Sequence, residues 1–311
     1  MTRSSSASDY PPAASVTVLA PAKINLVLRI LDRRADGFHN LWSLMQTVGL
    51  EDEIALRLSP GPPIITLKCD DRSLSTDQTN LVYRAVAEVL QRSGQRVGLD
   101  IALSKRIPMG AGLGGGSSDA AATIIGLNRL LMLGWSAADM AQVGQALGSD
   151  VPFFFFAPSA TVAGRGEKVT PVRITGSRWV VLVNPGYSVE TKWAYHELSS
   201  SRTGVRPLAE THMALAREPQ LSWERVLGVA ENDFETPVFR AHPDLREIKH
   251  GLLDQGAEAA LLSGSGATVF GLFRGEADAH RVLAHFRARP ELRVFAVAAG
   301  ADSQILPSQE I

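Results

Sequence analysis

The feature that most constrains this chain is the run Gly-Ala-Gly-Leu-Gly-Gly-Gly-Ser-Ser at 110–118, set between a strand-like segment and a helix-like one. Five of its first seven residues are glycine, and glycine loses more backbone freedom on ordering than any other residue. A plain turn seldom uses so many. Without Cβ atoms, successive N–H groups can converge on an anion. The pattern over 120–132 puts Ile124, Leu127 and Leu131 on one helical stripe. A helix start adds unbonded N–H groups and the positive end of its dipole, and Ser117 and Ser118 add hydroxyls there. The run therefore predicts a phosphate cradle.

Two common cradles fail against the residues. Gly110, Gly112 and Gly115 satisfy G-x-G-x-x-G, but the dinucleotide fingerprint wants a buried strand immediately before it and an acid ~20 residues on. Here Lys105, Arg106 and Pro108 intervene, and no acid occurs in 120–138. The Walker pattern needs lysine after its last glycine, where this chain has Ser117. Protein-kinase H-R-D and D-F-G signatures are absent.

The remainder reads as mixed helix and strand. Strands are expected at 16–19 and 24–31, broken by Pro21, and again at 41–48, 53–58 and 98–104. A helix is expected over 80–92, with Gly94 past its end, and another over 137–147, capped by Ser136 and stopped by Gly148. Later strands fall at 151–156, 161–163, 179–183, 267–273 and 293–298. Segments 242–251 and 258–260 flank helical turns, and 198–222 reads as mobile or poorly packed. Interleaving without regular βαβ spacing points to α+β. The looser composition around 171–176 suggests a domain split, 15–172 and 173–311, behind a polar tail at 1–14 that lacks the apolar run of a secretory signal.

With 311 residues and a formal net charge of −1, the chain has no broad electrostatic grip for nucleic acid or an acidic membrane. No apolar stretch approaches the ~20 residues of a membrane span. A single cysteine, Cys69, fits a reducing, cytoplasmic setting. No acidic or histidine cluster has metal-ligand spacing.

Four separated motifs, in order, extend the reading: Pro-Ala-Lys-Ile-Asn-Leu at 21–26, Arg-Ala-Asp-Gly-Phe-His-Asn-Leu at 34–41, Gly-Leu-Gly-Gly-Gly-Ser-Ser at 112–118 and Gly-Ser-Asp-Val-Pro at 148–152. A fifth is Ser-Gly-Ser-Gly at 263–266. Together they resemble the GHMP kinases, and within them the branch whose acceptor alcohol carries a cytidine diphosphate group. The resemblance implies a two-domain α+β fold, with an N-terminal domain like a ribosomal protein and a ferredoxin-like C-terminal domain. It implies ATP with Mg²⁺, phosphorylation of a hydroxyl in isoprenoid biosynthesis, a small-molecule partner, and leaves a homodimer open.

The resemblance also assigns residues. Asp150 is the expected base and Lys23 its catalytic partner, although a lysine in an apolar strand more often sits on a solvated face. Asn80, Lys105, Pro108, Gly110, Gly112, Leu113, Gly114, Gly115, Gly116, Ser117 and Ser118 are expected around ATP. For Asn80 and Lys105 a helix cap and an exposed strand-end charge are the plainer readings. Asn25, Phe38, His39, Thr191, Tyr195, Gly264 and Ser265 are expected on the substrate, with Phe38 stacking on the cytosine and Tyr195 as the opposite wall. Rival readings are a homoserine- or mevalonate-type GHMP kinase and, from another class, a non-catalytic nucleotide or dinucleotide binder. The segment 34–39 discriminates, because a kinase for a small uncharged alcohol has no use for a base-stacking pair.

Overall fold

The computed structural model describes residues 14–35, 37–202, 204, 207–300 and 305–306. All but Ala14 of the expected tail, and Asp36 of the second motif, lie outside the described residues.

Two long strands, β1 (Ser15–Arg33) and β2 (His39–Ser59), form an antiparallel ribbon. The expected break at Pro21 is only a register shift between Pro21 and Ala22. A bulge there removes the need for the ladder N–H that proline lacks. Strand β3 (Ile65–Cys69) follows, then helix α1 (Leu81–Ser93), which begins at an Asn80 cap and ends at Gly94 as expected. Next come β4 (Gly98–Ser104), α2 (Gly115–Leu130), α3 (Ala137–Gln145), β5 (Ser159–Gly164) and β6 (Lys168–Pro171). The sheet order β1-β2-β4-β3 carries α1 and α2 on one face. Val82, Val86 and Val89 of α1 and Ile124 and Leu127 of α2 meet Val18, Ile54, Leu56 and Ile101 of the sheet. Burying each such side chain contributes roughly 1.5–3 kcal/mol relative to exposure. Gly126 lets α2 lie close, since a Cβ there would stand 2.5 Å from Leu56 Cδ1.

Two expectations in this half are corrected. Helix α2 begins at Gly115, not 120, so glycine and serine form its first turn. The expected strand at 151–156 is a 3₁₀ turn, Val151–Phe155, with Pro152 at its start. A continuous apolar run carries no period to separate the two, and Pro152 suits a helical first turn.

The second half contains β7 (Arg173–Thr175), β8 (Trp179–Asn184), α4 (Thr191–Ser200), α5 (Glu210–Leu215), β9 (Gln220–Ser222), α6 (Trp223–Leu227) and β10 (Glu231–Asn232). It continues with α7 (Glu235–Ala241), α8 (Pro243–Asp254), β11 (Ala259–Leu262), β12 (Val269–Phe273), α9 (Glu276–Arg287), β13 (Arg293–Ala298) and β14 (Ile305–Leu306). An antiparallel sheet of order β11-β12-β8-β13 is covered by α8 and α9. The segment at 258–260 thus leads into a strand, paired with β12, rather than a helical turn. The stretch 198–222 is better packed than its polar composition suggests, for Leu215 and Leu221 are buried; residues 203, 205 and 206 within it lie outside the described residues. β10 and β14 both return to pair with β1. Ile24 and Leu44 of the first sheet pack with Leu182, Phe270 and Leu272 of the second in a shared core. The architecture is α+β, as expected.

Candidate active site

Between the two sheets lies a cleft of ≈ 560 Å³. Its lining brings together Lys23, Asn25, Asn80, Lys105, Pro108, Gly110, 112–117, Asp150, Thr191, Tyr195, Gly264 and Ser265.

On one side stands the start of α2. Gly114 is its N-terminal cap, with φ of 70°, and accepts a hydrogen bond from Ser118 N at 2.9 Å. The first N–H groups of a helix have no partner within it, so this turn presents them to the cleft with the dipole behind them. A Cβ on Gly114 would stand 2.9 Å from Lys23 Cγ, so glycine makes room for the lysine stem. Lys23 N donates to Leu113 O at 2.9 Å, tying β1 to the loop.

The loop is locked from behind by the 263–266 turn. Ser263 Oγ donates to Gly112 O at 2.9 Å and Thr268 N donates to Ala111 O at 3.2 Å. At Gly112, with φ of 76°, an added Cβ would overlap the Ser263 carbonyl.

At the base of the cleft, Lys23 Nζ lies 3.5 Å from Asp150 Oδ2 and donates to Asn25 Oδ1 at 2.8 Å. The lysine is buried, whereas the Asp150 side chain is 33% exposed, so a ligand can reach the carboxylate. Asn25, expected on the substrate, has both ends engaged. Its Oδ1 also accepts from Gly264 N, and its Nδ2 donates to Ser43 Oγ.

Lys105 is not the exposed strand-end charge of the plainer reading. Its Nζ is buried, hydrogen-bonded to Asp52 and, at 2.7 Å, to Asp119. Burial pushes the Asp119 carboxyl up to about 7, against the pull of Lys105 and with Asp52 adding to the rise. Burial alone would lower the Lys105 ammonium, but the two carboxylates hold it above its ordinary range. Asn80 combines its two readings: it caps α1 through Val82 N and lines the cleft. Ser118 Oγ and Asp119 Oδ1 are buried and have no hydrogen-bond partner. They are hard oxygen donors of the kind magnesium takes, so these residues fit the magnesium that the sequence resemblance implies. Among the described residues no group of three His, Cys, Asp or Glu is arranged for a metal.

The opposite side is aromatic. His39 stacks on Tyr195, centroids 4.9 Å apart and rings 25° from parallel, and shares a hydrogen bond with Ser199 Oγ at 2.9 Å. Tyr195 also meets Phe234 edge-on at 4.8 Å. Burial, then the Asp150 charge, raises the Tyr195 phenol above its ordinary range. Burial and Arg33 lower His39, with Asp32 opposing. Phe38 is not brought against Tyr195. It is 53% exposed, outside the cleft lining, with the Arg165 guanidinium 3.9 Å above its ring. Thr191 Oγ1 shares a hydrogen bond with Ser265 Oγ at 3.0 Å. Sequence reasoning missed Asp119 and Phe234 in the lining. Asp119 directly follows the serine pair, which was a usable signal.

Residues 80–157 match the GHMP kinases N terminal domain family, and residues 210–291 match the GHMP kinases C terminal family. A Syntrophotalea carbinolica protein named 4-diphosphocytidyl-2-C-methyl-D-erythritol kinase is 43% identical over 283 residues, covering 90% of this chain and 97% of that one. A crystal structure of 4-(cytidine 5'-diphospho)-2C-methyl-D-erythritol kinase superposes with a TM-score of 0.74 at 34% identity, covering 92% and 99% of the two chains. Homoserine kinase from Cytophaga hutchinsonii has a TM-score of 0.71 at 19% identity over 98% and 99%, a likeness of fold alone. Among the described residues no helix is long and apolar enough to cross a membrane.

Proposed function

This chain belongs to the GHMP kinases, in the 4-diphosphocytidyl-2-C-methyl-D-erythritol kinase family, and from that premise we propose that it phosphorylates the 2-hydroxyl of that cytidyl alcohol with ATP, a step of non-mevalonate isoprenoid synthesis. The observation that carries the reading is the Lys23–Asp150 pair, 3.5 Å apart in a cleft faced by the bare N-terminus of α2. Phosphoryl transfer asks a protein chiefly for positioning and charge neutralisation. The N–H groups at 114–117 hold the phosphates of ATP. Asp150 accepts the hydroxyl proton as the alcohol oxygen bonds to the terminal phosphorus and the bond to the ADP oxygen breaks. Lys23, held by Asn25, orients that carboxylate and offsets negative charge between acceptor and donor. Ser118 and Asp119 would hold magnesium, which neutralises phosphate charge.

The cytidine end of the substrate lies against the His39–Tyr195 side, which offers ring faces and a histidine edge for the base. Thr191, Ser265 and Gly264 flank its path. The two halves of the chain, 15–172 and 173–311, act as the domains on either side of the cleft, in a cytoplasmic enzyme.

The test is ADP release by purified protein given ATP, magnesium and, in parallel, the cytidyl alcohol, homoserine and mevalonate. Turnover is expected with the cytidyl alcohol alone, and its absence overturns the reading. In the same assay Asp150→Asn is expected to lose roughly 10²–10⁴-fold in kcat while still binding ATP.

A further inference from the structure

The run Glu-Asn-Asp-Phe-Glu at 231–235, absent from the motif reading, enters the molecule between its two sheets. Asn232 is 6% exposed and pairs beside Leu28 of β1. Its Nδ2 donates to Leu262 O at 2.7 Å and to Gly264 O at 2.8 Å, and its Oδ1 accepts from Phe234 N at 2.9 Å. Both amide hydrogens and the amide oxygen are thus in use. Its neighbour Asp233 fastens the strand to the first sheet, accepting from Ile30 N at 2.7 Å and pairing with Arg202 at 2.7 Å.

On the far side of the same turn, Gly264 N donates at 2.9 Å to Asn25 Oδ1, the oxygen that also receives Lys23 Nζ. A continuous polar chain therefore runs from Asn232 through Gly264 and Asn25 to Lys23 and ends at Asp150. Its members come from four separate parts of the sequence, and the Asn232 side chain is its far anchor.

We propose that Asn232 is a positioning residue for phosphoryl transfer. By gripping the Leu262 and Gly264 carbonyls it aims the Gly264 N–H at Asn25, which sets the Lys23 ammonium against Asp150. The proposal rests on the roles given above to Lys23 and Asp150. Removing the amide donors leaves two carbonyls without their partner. The turn then relaxes, and displacements of about 1 Å at a transfer site lower rates about 100-fold. The ATP cradle keeps its own ties to this turn, Ser263 Oγ to Gly112 O and Thr268 N to Ala111 O, neither of which uses the Leu262 or Gly264 carbonyl that Asn232 holds.

The test compares wild type with Asn232→Ala and Asn232→Asp, using ATP and the cytidyl alcohol. The aspartate variant keeps the side-chain size and an acceptor for Phe234 N but cannot donate. Both variants are expected to lose about 30–100-fold in kcat, with ATP affinity, by tryptophan fluorescence, within about threefold of wild type. No turnover by the wild-type enzyme overturns the functional reading and this proposal with it. Active wild type with variants within about threefold in kcat overturns the proposal alone. So does an ATP affinity that falls as far as kcat, because general loosening then explains both. A cycle with Asn25→Ala gives a second reading. The double variant is expected to be no more than about threefold below the worse single one, as for residues of one network. Multiplying effects would place the two side chains on independent paths and overturn the proposal.

Discussion

On one side of the cleft, which the proposed function makes the donor side, the lining is the backbone of one continuous segment, 114–117, at the start of α2. On the other, the acceptor side of that proposal, it is the rings of Tyr195 and Phe234, from α4 and the 231–235 run, with His39 of β2 stacked on Tyr195 outside the lining. Backbone donors exist at every residue, so the donor side is defined by what is missing from the side chains. The acceptor side is defined by what the side chains add, and only the fold brings those additions together. A site of the first kind should fail when a methyl group is added. A site of the second kind should fail when a ring is taken away, and should leave the first intact.

Gly112→Ala is the sharpest break of the donor side. The new Cβ meets the Ser263 carbonyl, which is backbone and cannot swing aside, at a residue with φ of 76°. Strain and overlap together should cost about 3 kcal/mol or more, read as a lower midpoint of thermal unfolding. The same displacement separates the loop from the 263–266 turn, so ATP affinity should fall at least about tenfold, or 1.4 kcal/mol, in a fluorescence titration. An alanine variant with wild-type stability and ATP affinity would show that the two turns are not interlocked.

The same contrast explains what was legible in the sequence. The glycine loop's place at the cleft could be read because Gly110, Gly112 and 114–116 are neighbours, and their composition has few other uses. The start of α2 was misplaced because glycine and serine are poor helix formers; they begin the helix here where bare N–H groups are needed. At 151–155 the three phenylalanines and a valine hid a 3₁₀ turn, since an unbroken apolar run has no period. Strand order and the return of β10 to β1 depend on pairing across about 200 residues, and local patterns carry no such information. Lys23 and Asp150 were placed by resemblance; neither the burial of Lys23 nor its distance from Asp150 is written in the spacing. Lys105 was expected at ATP, and the plainer reading of it as a surface charge fails because Asp52 and Asp119, its partners, are remote in sequence. Asn232 was missed for the same reason, although an Asn-Asp pair before Phe234 is an unusual thing to bury.

Tyr195→Ala should break the acceptor side alone. Stacking of a base on an aromatic ring contributes about 1–3 kcal/mol, so KM for the cytidyl alcohol should rise by about 10–100-fold. Tyr195 packs on His39 and Phe234 and makes no hydrogen bond to the glycine segment, so ATP affinity should stay within about twofold by titration. A variant that lost both affinities equally would mean that the two sides are one cooperative unit and not two.

The smallest effect concerns charge on the two sides. Burial favours the neutral form in both places, raising the Asp119 carboxyl on the donor side and lowering the His39 imidazole on the acceptor side. For His39 the folded midpoint lies below 6.5, the ordinary value, through burial first and Arg33 second, with Asp32 opposing. A depressed histidine contributes stability that is present above 6.5 and is lost as pH falls through the folded midpoint. The neutral ring is also the form that can offer both a donor and an acceptor to a base. KM for the cytidyl alcohol should therefore hold steady down to 6.5 and rise only below it. A proton NMR titration of the His39 ring checks the cause. Its midpoint should lie below 6.5 in the wild-type protein and move back toward 6.5 in Tyr195→Ala, where the ring loses its cover to water. A midpoint that ignores the tyrosine would assign the shift to Arg33, and the acceptor side would then be set by charge where the geometry assigns it to burial.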